Sequence, residues 1–364
     1  MEDGGKVDLK KHVTPALVLL FLSPMIGEML SSSSPPAEFF GPFALWAFPM
    51  MYGCGALLVR EAVFRWKKGW VSLLLLGAAY GIAEEALACK SFFDPNWADI
   101  GVLGSYGRWA GVNWLWSFEL TVYHAAISIA TPILLTTFLF PEKRDQPWLT
   151  AKGLKYAAGF FIFIEVFCFA LITFYRPQVH LILLAMGAIA LLVYAAYKVP
   201  HPFPWERLFA PLTVLETKVR SFMKKGAKTI TEPSKRKLFF SGVAFMFGFY
   251  LVPAMTMAAG ASAPVTGLAL LLFFTLLGTR IALVSNFGRN WTERHQTLLL
   301  AGGLTFFIMF CPVWEFSGGR TDNPMGLTAV GISFTIFLVW IYRRLGRNET
   351  VARQAAVPAC AAPN

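Results

Sequence analysis

The sequence GAAYGIAEEALACKSFF, residues 77–93, places two adjacent glutamates, Glu84 and Glu85, near the end of an apolar segment. The segment begins near Trp70 and is long enough to cross the roughly 30 Å hydrocarbon core of a bilayer as one helix. An ionised carboxylate inside a bilayer costs at least about 2.5 kcal/mol on insertion scales. The pair therefore needs a partner, a polar cavity or a chemical function.

The rest of the chain is equally apolar. Hydrophobic residues make up 56% of the 364 residues and charged residues only 15%, which excludes an ordinary soluble globular protein. We therefore predict an all-α, polytopic integral membrane protein in the cell membrane, with about ten transmembrane helices. The predicted spans are Val13 to Ser33, Gly41 to Phe64, Trp70 to Phe92, Val112 to Phe140, Ala151 to Phe174, Val179 to Tyr197, Leu238 to Ala259, Pro264 to Asn286, Thr297 to Phe316 and Met325 to Tyr342.

The distribution of lysine and arginine predicts the orientation of these spans. Basic residues concentrate in alternate loops, such as FRWKKGW (64–70) and PEKRDQPW (141–148), and loops of this kind stay in the cytoplasm. We therefore expect both termini to be cytoplasmic. The net charge of +11 then indicates membrane topology and contact with anionic lipid, and it does not indicate nucleic-acid binding.

A long polar interruption divides the chain into regions. We predict a six-helix membrane region with the polar cluster at 1–198, a basic cytoplasmic linker at 199–237, a four-helix membrane region at 238–345 and a disordered cytoplasmic tail at 346–364. The linker is rich in lysine and amphipathic, so we expect it to contact anionic lipid on the cytoplasmic face.

Ionisable residues gather in the first, third and fourth spans. We expect Glu28, Glu84 and Glu85 to lie in the outer halves of their helices, at a depth where they can meet His124. Because buried carboxylates need polar neighbours, these four residues are predicted to share one polar site that opens toward the outer face.

Helical spacing supports a shared site. Polar residues in the fourth span recur at steps of three and four, which places them on one helix face. They are Asn113, Ser117, Thr121, His124, Ser128 and Thr131. In the third span, Gly77 and Gly81 form a small-residue pair that lets another helix approach closely. We therefore predict that Asn113 and Ser128 act as binding residues in the site.

Two further ionisable residues have separate interpretations. Arg108 is the only lysine or arginine in the loop 94–112, and we expect it to pair with the carboxylates or to bind an anionic group of a substrate. Glu165, in FFIFIEVFCF (160–169), is surrounded by aromatic residues. It is predicted to be a neutral carboxyl group that hydrogen-bonds to a neighbouring helix, because an unpaired buried charge is costly.

A Glu-Glu pair in one membrane helix and a histidine in a following helix resemble the CAAX protease and bacteriocin-processing family of glutamate-type intramembrane peptidases. Glu84 and Glu85 match the pair of that family's EExxxR motif, and His124 matches the histidine of its FxxxH motif. Cys89 stands at the arginine position and Leu120 at the phenylalanine position, and the family's third motif has no counterpart.

The resemblance implies a membrane-embedded hydrolase. In such an enzyme Glu84 or Glu85 would act as the general base on a water molecule held with His124, and the substrate would be membrane-embedded or lipophilic. Arg108 or Lys90 would then replace the missing arginine.

The residues alone also fit other functions. A buried ion-pair and hydrogen-bond network that locks the helices together is one alternative, and an ion-coupled transporter that uses the Glu/His cluster is another. The zinc-peptidase, serine-hydrolase and nucleotide-binding motifs are absent. No metal site is predicted, because the spacing of the carboxylates and His124 does not support one, and the sequence indicates no particular cofactor.

Overall fold

The structure, a computed structural model, describes residues 13–204, 233–285 and 291–356. Its principal helices are α1 (Pro15–Leu30), α2 (Ala44–Arg65), α3 (Trp70–Ala88), α4 (Trp114–Leu139), α5 (Ala151–Ile172), α6 (Val179–Lys198), α7 (Lys235–Ala258), α8 (Ala263–Val284), α9 (Glu293–Phe316) and α10 (Leu327–Ala356). Within the described residues, strands occur only as a two-stranded antiparallel hairpin of β1 (Arg108–Trp109) and β2 (Val112–Asn113).

The predicted all-α polytopic architecture is confirmed. In the described part of the chain, nine helices, α2 to α10, are long and apolar enough to cross a membrane. The first predicted span is shorter than expected, because α1 begins at Pro15 and ends at Leu30, just before Ser32 takes a positive φ of 69°. The cytoplasmic location of both termini stays a prediction.

Part of the predicted organisation falls outside the described residues. The basic linker that we expect to contact anionic lipid includes 205–232, and the predicted tail includes 357–364. The chain divides into two compact units, the first of Met1–His201 with Ser317–Leu327 and the second of Pro202–Phe316 with Thr328–Asn364. The residues of the predicted polar site all belong to the first unit.

Each of the helices α1 to α5 contains a π-helical segment, in which the backbone hydrogen bonds skip one extra residue. These segments are Met25–Leu30, Pro49–Gly53, Ala83–Ala88, His124–Ala130 and Cys168–Ile172. The first directly follows Pro24 and the second begins at Pro49, and proline lacks the N–H that an α-helix requires. Because π-helical turns inside α-helices often occur at functional sites, the first unit is where function is expected.

Helix ends in the first unit are set by polar caps. The side chains of Thr14 and Thr150 accept hydrogen bonds from Leu17 N at 3.2 Å and Gly153 N at 3.1 Å, so they begin α1 and α5.

In the second unit, α7 packs closely against α9 at Gly242 and Gly302, where a Cβ atom would meet the backbone of the opposite helix.

Candidate functional site

Close packing of α3 against α4 builds the centre of the site. A Cβ atom on Gly77 would lie 2.9 Å from Ala125 Cα, and one on Gly81 would lie 2.7 Å from His124 Cβ. Only glycine allows this approach, as the small-residue pattern predicts. The contact sets the start of the π-helical segment of α4 beside the π-helical end of α3.

This packing places the His124 imidazole between two carboxylates. His124 Nδ1 lies 3.2 Å from Glu84 Oε2, and His124 Nε2 lies 3.0 Å from Glu85 Oε1. Glu84 and His124 are each 2% exposed, and Glu85 is 9% exposed. A neutral imidazole has one N–H, whereas the protonated ring has two, so the protonated form is the one that offers a donor to both carboxylates.

The two carboxylates are held in different ways. Glu85 accepts a hydrogen bond from His124 and, through Oε2, a short one from Ser91 Oγ, and Trp116 Nε1 donates to that Oγ at 3.1 Å. Glu84 Oε2 and His124 Nδ1 are close but poorly aligned, and neither has a hydrogen-bond partner among the described residues. Glu85 is therefore fixed in place, whereas Glu84 keeps a free acceptor.

Glu28 joins the site from the π-helical segment of α1. Its Oε1 accepts a short hydrogen bond from the Tyr52 hydroxyl, and its Oε2 accepts one from Ser34 Oγ at 2.9 Å. The Tyr52 ring lies 6.1 Å from the His124 ring, between centroids. Tyr52 thus connects Glu28 to the imidazole.

Three tyrosine rings surround the imidazole. Their centroids lie 6.1 Å (Tyr52), 5.9 Å (Tyr80) and 5.3 Å (Tyr123) from the His124 ring. Tyr123 also donates to Gly27 O at 2.8 Å, which ties α4 to α1. These tyrosines were not predicted from the sequence. The signal in the sequence was that a tyrosine inside an apolar span usually needs a partner for its hydroxyl group.

Ser128 lies beside Glu28's helix. Its carbonyl oxygen accepts from Ser23 Oγ at 2.7 Å, and its buried Oγ has no hydrogen-bond partner within the described part of the chain. A Cβ on Gly27 would be 3.2 Å from that Oγ. The structure therefore brings Ser128 into the neighbourhood of Glu28.

The other predicted site residues do not contact the carboxylates. The Arg108 guanidinium donates to backbone oxygens, with Nε to Gly104 O at 3.0 Å and Nη1 to Phe93 O at 2.7 Å, so it stabilises its own loop. Asn113 caps α4, since its Oδ1 accepts from Trp116 N at 3.0 Å. Arg108 is therefore not the counter-ion of the glutamates, and the alternative, that it binds an anionic group of a substrate, stays a prediction.

Lys90 does not replace the missing arginine either. Its Nζ donates to the carbonyl oxygens of Phe169 and Thr173, both at 2.6 Å, at the end of α5. Such carbonyls lack partners within their helix and favour a cation. Lys90 therefore caps α5.

Glu165 is an additional acidic residue near the centre of the site. It lies within electrostatic range of Glu84 and Glu85. Both of its carboxylate oxygens are buried without a hydrogen-bond partner in the described residues. The predicted packing hydrogen bond is thus not formed, and Glu165 belongs with the cluster.

Among the described residues, no group of three or more histidine, cysteine, aspartate and glutamate side chains is placed to hold a metal ion. Both nitrogens of His124 already face carboxylates, so the side chains pair with one another and do not converge on a common point.

Comparison with known proteins gives a broad classification. The model of a family described as an uncharacterized membrane protein family matches residues 17–345. An uncharacterized protein from Archaeoglobus fulgidus is 28% identical over 154 residues, which cover 39% of this chain and 45% of the relative. The match thus spans less than half of the relative's length. No solved structure matches this chain.

These comparisons correct the resemblance inferred from the sequence. The family model that covers most of the chain is not that of the CAAX protease and bacteriocin-processing family. The assignment to that family is wrong, because a Glu-Glu pair and one histidine are too short a pattern to identify a family. The arrangement around His124 must be interpreted from its own geometry.

Proposed function

The chain belongs to an uncharacterized membrane protein family, and from the geometry of the site we propose that it is a membrane-embedded hydrolase. In this proposal, Glu84 is the general base, His124 is the general acid, and Glu85 orients the imidazole. The observation that carries the proposal is the pair of carboxylates that flank His124. They lie 3.2 Å and 3.0 Å from its two ring nitrogens and differ in how completely their oxygens are hydrogen-bonded.

The roles follow from which atoms are occupied. Glu85 is hydrogen-bonded to both Ser91 and His124, so it has the fixed position that an orienting residue needs. Glu84 Oε2 has no hydrogen-bond partner among the described residues and can accept a proton from water. General acid–base catalysis by positioned groups contributes about 10²–10⁴-fold to a rate.

The proposed reaction is hydrolysis of a carboxylic ester or an amide. Glu84 accepts a proton from water while the water oxygen forms a bond to the carbonyl carbon. When the bond to the leaving group breaks, His124 donates a proton to that group. The proton on Glu84 then passes to His124 across the 3.2 Å between them, which restores both side chains.

Burial of the site favours a lipophilic substrate. Glu84, Glu85 and His124 lie in α3 and α4, which are both long and apolar enough to cross a membrane. A substrate that reaches them must enter an environment enclosed by apolar helices. A lipid-soluble ester or amide fits this requirement better than a free polar metabolite.

Solvent-oxygen incorporation tests the proposal whichever lipophilic ester or amide is the substrate. The full chain is reconstituted in vesicles of total membrane lipid, and lipophilic esters and amides are added as candidate substrates. The surrounding water is labelled with a heavy isotope of oxygen. Mass spectrometry then searches for products that gain one solvent oxygen. We expect incorporation with the native protein and a loss of about 100-fold or more with Glu84→Gln or His124→Gln.

Glu119→Gln is the matched control. Glu119 is a buried glutamate on α4, the helix that also carries His124, but it makes no ion pair with the imidazole. We expect this variant to retain the native rate. Equal rates for Glu84→Gln and the native protein would contradict the proposal, as would proton or cation flux across the vesicles without any oxygen incorporation.

A further inference from the structure

Carboxyl groups greatly outnumber basic groups around His124. Glu28, Glu84, Glu85 and Glu165 lie within electrostatic range of one another or of the imidazole. In the described part of the chain, none of these glutamates forms an ion pair with a lysine or arginine side chain. Because uncompensated buried charge costs several kcal/mol per ion, the site favours a positively charged ligand or protons.

The glutamates around His124 differ in how completely their oxygens are hydrogen-bonded. Glu28 and Glu85 have hydrogen-bond donors on both carboxylate oxygens. In contrast, Glu84 Oε2 and both oxygens of Glu165 are buried without a well-aligned hydrogen bond among the described residues, and the buried Tyr80 hydroxyl lies close to Glu84. Glu84 and Tyr80 are only 2% and 4% exposed, so their polar atoms are shielded from water.

Helix packing brings these three side chains together. The α5 helix packs against the Ala83–Ala88 segment that carries Glu84. The Tyr80 ring lies 5.8 Å from the Phe161 ring, one helical turn before Glu165 on α5. Tyr80 is within electrostatic range of both Glu84 and Glu165. The three groups therefore form one acceptor-rich patch between α3 and α5.

We propose that Glu165 and Tyr80, beside Glu84, bind the primary ammonium group of a lipophilic ligand. An ammonium group has three N–H donors and no acceptor, which matches the two carboxylate oxygens of Glu165 and the phenol oxygen of Tyr80. Its charge offsets the excess of buried carboxylates. Phe161 supplies an aromatic face close to the patch, against which the aliphatic part of the ligand can pack.

This inference rests on the proposed hydrolase function in one respect, which is that the ligand is the substrate of the hydrolase. With that function, it narrows the substrate to an ester or amide that carries an amine near the cleaved bond. Without that function, the patch is a binding site for a lipophilic amine. The binding experiment therefore does not depend on turnover.

Titration of the purified full chain in detergent with n-butylammonium tests the site. The neutral n-butanol and the anionic butyrate are matched probes of the same chain length. We expect a saturable rise in the unfolding temperature with butylammonium alone. Attraction to the overall charge of the protein does not explain that result, because the net charge of +11 repels cations.

Variants connect the response to the proposed residues. Glu165→Gln removes one charged acceptor, so we expect butylammonium to bind at least about tenfold more weakly. Tyr80→Phe should weaken binding less, because it removes a neutral partner. Glu119→Gln, a buried glutamate outside the patch, should bind as the native protein does. If Glu165→Gln does not fold, as judged by size-exclusion elution and helicity, Tyr80→Phe decides the result.

Two outcomes would overturn the site. The first is an equal response to butylammonium and n-butanol, which would mean that only the apolar chain is recognised. The second is native affinity in a folded Glu165→Gln protein or, where that variant does not fold, in Tyr80→Phe. Hydrolysis of amine-free substrates without butylammonium binding would reject the site and keep the hydrolase. Butylammonium binding without solvent-oxygen incorporation would reject the hydrolase and keep the site.

Discussion

Two buried glutamate clusters in the first unit differ in how completely their polar atoms are paired. In the first, Glu61 Oε1 lies 2.7 Å from both Arg60 Nη1 and Trp148 N, and its Oε2 accepts from Arg65 Nε at 2.9 Å. Arg60 also donates to the carbonyl oxygens of Arg144 and Gln146, at 3.0 Å and 2.6 Å. The second cluster, around His124, contains glutamates without any lysine or arginine partner in the described residues.

This difference separates a structural role from a functional one. A fully hydrogen-bonded buried network joins elements together and is strongly destabilising to break. A cluster with unpaired buried acceptors contributes little to stability and is retained for another reason, such as ligand binding or proton transfer. We therefore expect substitutions in the Glu61 network to affect folding, and substitutions at Glu84 to affect activity.

The largest effect on stability is expected for Glu61→Gln. Glu61 is fully buried and Arg60 is 6% exposed, so the substitution leaves a buried guanidinium without its carboxylate. We expect the free energy of unfolding to fall by about 3–5 kcal/mol. Denaturant titration in mixed micelles, followed by loss of helicity, measures this change.

Glu84→Gln is the matched comparison for Glu61→Gln. It changes a buried glutamate in the same way, but its Oε2 has no aligned hydrogen bond and Glu85 still faces the imidazole, so the free energy of unfolding should stay within about 1 kcal/mol of the native value. A loss as large as that of Glu61→Gln would show that the His124 cluster is structural, and the comparison between the two clusters would fail.

An intermediate effect is expected for Gly81→Ala. The added Cβ would lie 2.7 Å from His124 Cβ, so α3 and α4 must separate or the imidazole must move. Overpacking of this kind costs about 1–3 kcal/mol of stability. Displacement of His124 from the carboxylates should also reduce solvent-oxygen incorporation, by about 100-fold.

The control for Gly81→Ala is Gly159→Ala on α5. No atom lies within 4 Å of a Cβ built on Gly159, so this helical position accepts alanine. Because alanine favours helix over glycine, stability should rise by about 0.5–1 kcal/mol and activity should not change. If Gly81→Ala behaved in the same way, the close approach of α3 and α4 would not be required.

Sequence periodicity was sufficient to predict the centre of the site. Helical spacing and the Gly77–Gly81 pair depend only on local geometry, and the structure brings Glu84, Glu85 and His124 into contact, as that spacing predicts. The predicted pairing of Arg108 with the carboxylates is not formed, because an arginine in a loop can bind backbone carbonyls as well as carboxylates. Charge alone does not indicate which acceptor a side chain will reach.

The tyrosines and Glu165 could not be assigned to the site from sequence. Tyr52, Tyr80 and Glu165 come from three different helices, α2, α3 and α5, so their meeting depends on helix packing. The π-helical segments add to this difficulty, because each one shifts the side chains that follow it relative to the 3.6-residue period. A prediction that several residues share one helix face is therefore most reliable within one or two helical turns.

The smallest effect is expected for Ser91→Ala, which removes one hydrogen bond from Glu85 and leaves the bond to His124. We expect a loss of about 1 kcal/mol in stability and a reduction of about tenfold in solvent-oxygen incorporation, because Glu85 then holds the imidazole less rigidly. Ser72→Ala is the control, since this buried serine of α3 donates to Ala196 O at 2.8 Å, away from the site. It should lose similar stability and no activity. Equal activity in the two variants would remove the orienting role from Glu85 and leave Glu84 and His124 as the acid–base pair.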